Sequence, residues 1–102
     1  MQKIAITSRV PNVFNFQLNN NYKVGQADLW VAVYQKPKSV THRGKAMTYY
    51  NVIKSITPLG EWNGSAINRA ISPIVDSDSA GFAIVAQDKV DGKILAAGNY
   101  RL

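Results

Sequence analysis

The run Ala27-Asp28-Leu29-Trp30-Val31-Ala32-Val33-Tyr34 limits what this chain can fold into more than any other stretch. In an extended strand Leu29, Val31 and Val33 point to one side, and Trp30, Ala32 and Tyr34 to the other. Both sides are apolar, so the pattern predicts a central strand over residues 27–35 covered on both faces. Pro37 closes it, because proline has no N–H to give to a ladder. The rest of the chain is then whatever packs around this strand.

The flanking segments read as further strands. Residues 2–9 alternate through Ile4 and Ile6 and stop at Pro11. Residues 12–18 set Phe14, Phe16 and Leu18 on one face. Asn19-Asn20-Asn21 is a turn cluster, after which Tyr22 and Val24 can resume pairing. Lys36 to Lys45 is polar, basic and punctuated by proline and glycine, which predicts a loop. Residues 46–56 read as a long strand that pairs with residues 27–35 around that loop. Residues 57–64 read as irregular. Ile67, Ala70 and Ile71 suit a short helix over residues 65–71, limited by Pro73. Residues 82–87 and 93–102 are joined through Asp91-Gly92, a hairpin signal. Gly98 in the last strand predicts a bulge or a close backbone approach.

The pattern predicts an all-β fold. It is a single-domain antiparallel β-sandwich of six or seven strands spanning residues 1–102, with at most one short helix near residues 65–71. The chain has 102 residues, enough to bury one core without staples. It has no cysteine, which excludes disulfides, thiolate metal sites and cysteine nucleophiles. No apolar run is long enough for a membrane-spanning helix, and residues 1–7 do not read as a signal peptide. Net charge is +6 and uneven. Residues 1–54 carry eight basic side chains against Asp28 alone, a balance of +7, while residues 55–102 stand at −1.

Catalytic chemistry finds little to stand on, so no enzyme, no cofactor and no metal is expected. His42 is the only histidine and lies among cations. Asp76-Ser77-Asp78-Ser79 lacks the further oxygen ligands of a calcium loop and reads as a turn. No pair of carboxylates stands out for glycoside hydrolysis, and no phosphate-cradling glycine loop occurs. Two stretches remain as candidate contact surfaces. In the first, Glu61-Trp62-Asn63 reads as a loop where an indole face supplies a platform for sugar or peptide, with Tyr49 and Tyr50 as further contacts. In the second, Lys36, Lys38, Arg43 and Lys45 precede Tyr49, the pattern of cations and aromatic faces that grips a single nucleic-acid strand.

Ala27 to Val33, and Ala97-Gly98-Asn99-Tyr100-Arg101-Leu102 near the end, resemble strands of bacterial extracytoplasmic immunoglobulin-like or fibronectin-like modules. The resemblance implies that Trp30 and Tyr100 pack in or near the core. It also implies a non-catalytic module for adhesion, spacing or binding, in a secreted or cell-surface setting ahead of a cytoplasmic one. The expected function is thus a binding or structural module recognising a protein or glycan surface. Two alternatives stay open: a small β-barrel that binds single-stranded nucleic acid, and a phage-type inhibitor that occludes a host protein. Exposed edge strands leave homo-oligomers open as well.

Overall fold

The computed structural model describes residues 1–49 and 52–102, with Tyr49 described through its backbone alone. Among these residues the chain is all β, with ten strands and no helix. They are β1 (Gln2–Lys3), β2 (Ala5–Val10), β3 (Val13–Leu18), β4 (Ala27–Gln35) and β5 (Lys38–His42), followed by β6 (Lys45–Tyr49), β7 (Ile53–Trp62), β8 (Ile67–Ile71), β9 (Ser79–Asp88) and β10 (Ile94–Arg101). Five form one sheet in the order β1-β10-β9-β4-β7, three form a second in the order β2-β3-β8, and β5 and β6 make a hairpin of their own.

β4 has the limits its sequence predicts and lies between β9 and β7. Leu29, Val31 and Val33 are buried against the three-stranded sheet, whose Phe14, Phe16 and Leu18 face them across the core. Phe14 meets Phe82 edge-on at 4.9 Å between ring centres and meets Tyr100 at the same distance. Tyr100 therefore packs on the core. Trp30 does not: it lies on the opposite side of β4, half-buried and outside the core cluster. The expectation of a strand covered on both faces is corrected, because the second layer has three strands and lies on one side only.

The strand count rises from the expected six or seven to ten through four local events. The first strand divides at Ile4: β1 runs parallel to β10 in one sheet, while β2 pairs with β3 in the other. Ile4 itself is buried at the crossover and donates its N–H to the Ala97 carbonyl at 2.9 Å. Gly98 passes so close that a Cβ there would stand 2.1 Å from the Ile4 carbonyl oxygen. Close approach, not a bulge, is therefore what this glycine serves; the irregularity in β10 falls between Ile94 and Ala96.

The predicted basic loop is instead the β5–β6 hairpin. Arg43 and Gly44 have φ of 51° and 78°, the two successive positive values of a type I′ turn. Residues 46–56 are consequently not one strand. Residues 45–49 pair with β5, and only Ile53, Ser55 and Ile56 pair with β4 as expected. β7 then continues through the segment read as irregular. Pro58 is tolerated because β7 is an edge strand, and the register slips between Leu29 and Trp30 to accommodate it.

The predicted helix at 65–71 is β8. Residues 67 and 71 share a face under a period of 2 as well as under 3.6, so their spacing does not discriminate. A two-turn helix is marginal alone. As a strand, residues 67–71 give β3 its second partner, Leu18 opposite Ile67 and Phe14 opposite Ile71. Between them Arg69 lies over the Phe16 ring at 5.3 Å and donates to the Leu59 carbonyl at 2.7 Å, tying β8 to β7.

Candidate functional site

Trp62 is the last residue of β7 and is 1 % exposed. Its indole Nε1 donates to the Ser65 carbonyl at 2.7 Å. The ring closes one end of the core, so it offers no free face, and the expected Trp62 platform is corrected on that ground. Asn63 is exposed, and its Oδ1 accepts the Ser65 N–H at 3.1 Å, a side-chain turn that holds the chain over the indole. Glu61 accepts from Lys89 at 2.7 Å, and the same ammonium reaches Asp28 at 3.4 Å. The Glu61 hydrogen bond, then the one to Asp28, raises Lys89 above its ordinary value despite some desolvation. What remains beside Trp62 is a hollow of about 260 Å³ edged by Gln26, Glu61 and Asn63.

The second predicted surface holds together better. Across the β5–β6 ladder, Lys38 opposes Tyr49, Val40 opposes Met47, and His42 opposes Lys45. These residues share one face by register, with Arg43 at the tip. The other face carries Ser39, Thr41, Ala46 and Thr48, with the Ser39 and Thr48 hydroxyls 3.1 Å apart. The hairpin thus divides into a small hydroxyl-rich side and a side where cations flank an apolar pair. Val40 and Met47 are 42 % and 45 % exposed. Residues 36–49 contain no acid. Lys36 precedes the ladder, and its N–H donates to the Asp78 carbonyl at 2.8 Å. The Tyr49 side chain and all of Tyr50 lie outside the described residues, so the two tyrosine contacts expected there are not placed.

The base of the hairpin is fastened by the loop between β8 and β9. Lys38 pairs with Asp78 at 3.5 Å, and Lys54 reaches both Asp76 carboxylate oxygens at 2.7 Å. Asp76 also accepts the Asp78 N–H at 2.9 Å and the Ser79 hydroxyl at 3.2 Å. The Lys54 hydrogen bond, followed by that backbone N–H, holds the Asp76 carboxyl below its ordinary range. The calcium-like spacing of Asp76 and Asp78 is a turn whose first carboxylate is already engaged by protein donors.

Beside this joint opens a cleft of about 460 Å³. Val31 and Val33 of β4 form its floor, Leu59 and Ile71 its far wall, and Lys54 with Asp76 part of its lining. Ile74 stands at its edge, 93 % exposed. Sequence reading does not find this cleft. It arises where the edge strands β7 and β8 diverge, and the residues that build it come from four separate segments with no shared spacing. An isolated Ile74 after Pro73 is the one local sign of it.

Among the described residues no group of three or more His, Cys, Asp or Glu side chains converges as a metal site would require, and no helix is long and apolar enough to cross a membrane. No protein-family model matches the chain, and no curated protein matches it. Among solved structures it is similar to the crystal structure of protein AGR_C_4864 from Agrobacterium tumefaciens, with a TM-score of 0.76 and 19 % sequence identity. The match covers 97 % of this chain and 45 % of that one, so the chain spans less than half the length of that protein. At this identity the likeness concerns the fold alone.

Proposed function

We propose that the chain is a non-catalytic binding module, a β-sandwich in architecture, that recognises a protein partner through the β5–β6 hairpin and the cleft at its base. The observation that carries this reading is their adjacency. One loop, Asp76 to Asp78, anchors Lys38 of the hairpin and, through Asp76, lines the apolar cleft. A partner suited to both is an extended acidic segment with one apolar anchor. Its carboxylates would lie along Lys38, Lys45 and Arg43, and its anchor would enter over Val31 and Val33. Such a cleft, mostly apolar with a few convergent polar groups, is a common form of binding site.

Nucleic acid is the second reading. A cationic ribbon with no acid along residues 36–49 would be drawn to the phosphates of a single strand. The apolar pair Val40 and Met47 in the middle of the cationic face favours protein over phosphate backbone. Fluorescence anisotropy separates the two. Acidic peptides with a central Leu or Phe should bind, Lys45→Glu should weaken them, and replacing the anchor by Ser should weaken them further. Single-stranded DNA that binds more tightly than every such peptide, with a steep loss on adding salt, would refute the protein reading in favour of the nucleic-acid one. Absence of binding by both would refute the hairpin as a contact element.

A further inference from the structure

The five-stranded sheet has an outer face, turned away from the core. β2, β3 and β8 lie on the opposite side, and β5 and β6 are exposed wherever their side chains are described. Among the described residues, therefore, no strand of the chain seals this face. Register places Pro58, Trp30, Val85 and Ala97 in one row across it. Ile56, Ala32 and Ala83 follow in the next. Ile56 is 61 % exposed. Lys3 of β1, opposite Ala97, adds a cation to the first row at the sheet edge, and further charge sits at two opposite corners. Glu61, with Asp28 and Lys89, leaves a net −1 at one, and Arg101 places +1 at the other.

We propose that this face is where two copies of the chain meet, face to face about a twofold axis. Among in-plane axes through the centre of the face, one crosses the diagonal between Glu61 and Arg101. It lays each Arg101 over the other copy's acidic corner. The same operation carries the large Trp30 onto the small Ala83 of the second copy, because both lie on that diagonal. Ala32 and Val85 fall beside the axis and meet their own mates. A twofold axis lying along that diagonal would instead stack acidic corner on acidic corner, so charge favours the axis that crosses it. Alternate residues repeat about every 6.8 Å along a strand, and strands lie about 4.8 Å apart. The face therefore measures roughly 19 by 27 Å, and two of them remove about 1,000 Å² from water. That reaches the lower bound for a specific interface and fits a dimer that dissociates on dilution.

Sedimentation equilibrium from low micromolar to several hundred micromolar tests this. The mass should rise with concentration from 11.2 kDa toward twice that value. Ala83→Glu should hold the chain at one copy with unchanged far-ultraviolet circular dichroism. Arg101→Glu, an exposed change that spares the core, should raise the dissociation constant several-fold. The chain has no cysteine, so Ala32→Cys supplies a single thiol beside the axis. It should give a disulfide-linked dimer on mild oxidation, and none when Ala83→Glu is also present. A single species of 11.2 kDa at the highest concentration would overturn the proposal. So would a dimer that survives Ala83→Glu, since it must use another surface. Peptide binding at the hairpin is a separate measurement and does not bear on this result.

Discussion

Replacing Gly98 by alanine tests how the two sheets are joined. The new methyl would stand 2.1 Å from the Ile4 carbonyl oxygen and 3.0 Å from the Ile4 Cβ. The oxygen is backbone, so no rotamer relieves the clash. To reach ordinary contact the crossover must retreat by roughly 1.3 Å. That displacement breaks the Ile4 N–H to Ala97 carbonyl hydrogen bond and pulls Ile4 from a site where it is 1 % exposed. Partial loss of a buried isoleucine costs about 1–2 kcal/mol, and the broken hydrogen bond about 1 kcal/mol. The expected destabilisation is about 2–3 kcal/mol, read in urea by far-ultraviolet circular dichroism, with a fall in Tm of roughly 10–20 °C. Gly25→Ala is the control: a Cβ there meets nothing within 4 Å, so the change should stay within about 0.5 kcal/mol. In the double variant Ile4→Ala with Gly98→Ala the two costs should fall short of their sum, because both act on one contact. A Gly98→Ala protein as stable as Gly25→Ala would refute the close approach and with it the tethering role of β1.

Trp62→Ala should cost about 3–5 kcal/mol in chemical denaturation, the cost of emptying a core site, whereas a ligand-contact tryptophan would cost little stability. Arg69→Ala should cost about 1–2 kcal/mol through loss of the contact with Phe16 and the hydrogen bond to Leu59, and Arg69→Lys should recover only part of it. Asp76 has a folded-state pKa below its unfolded one, so its contribution is complete above about pH 4 and is lost as acid protonates it in the folded state. Asp76→Asn should flatten that acid limb in a pH series of thermal melts. Lys89 has the opposite sign: its contribution is present below its unfolded pKa and is lost as pH rises through the raised folded value, so Lys89→Met should flatten the alkaline limb alone.

Period-2 alternation made β3, β4 and β9 legible, because their inner faces are unbroken by a polar residue: Phe14, Phe16 and Leu18; Leu29, Val31 and Val33; Phe82, Ile84 and Ala86. The same alternation misled at Trp30 and Ala32. Pattern alone reports that a face is apolar, not whether this chain has a layer to put on it. The hairpin at 38–49 was hidden by its turn residues. Arg-Gly adopts the two positive φ values that Asn-Gly usually advertises, and seven of the ten residues paired across that ladder are polar or alanine. β8 was hidden by the coincidence of two periods at residues 67 and 71. The basic stretch is visible in the sequence because its charges are contiguous. The cleft could not, since Val31, Leu59, Ile71 and Asp76 converge only through the fold.

These placements explain why charge and burial are divided as they are along the chain. A two-stranded hairpin with no second layer is marginal in water. Val40 and Met47 do not supply a core for β5 and β6, since both are more than two-fifths exposed. What fixes the arm is its root: the Lys38–Asp78 pair, the Lys36 N–H on the Asp78 carbonyl, and the Asp76 turn locked by Lys54. Surface ion pairs of this kind are weak singly and screened by salt. The arm is therefore held at its root, and the ladder itself contains no acid. The body beneath is built on the buried faces of β3, β4 and β9. Substitutions on β5 and β6 should therefore leave the core faces of β3, β4 and β9 intact, so the proposed contact role of the arm can be tested apart from the fold.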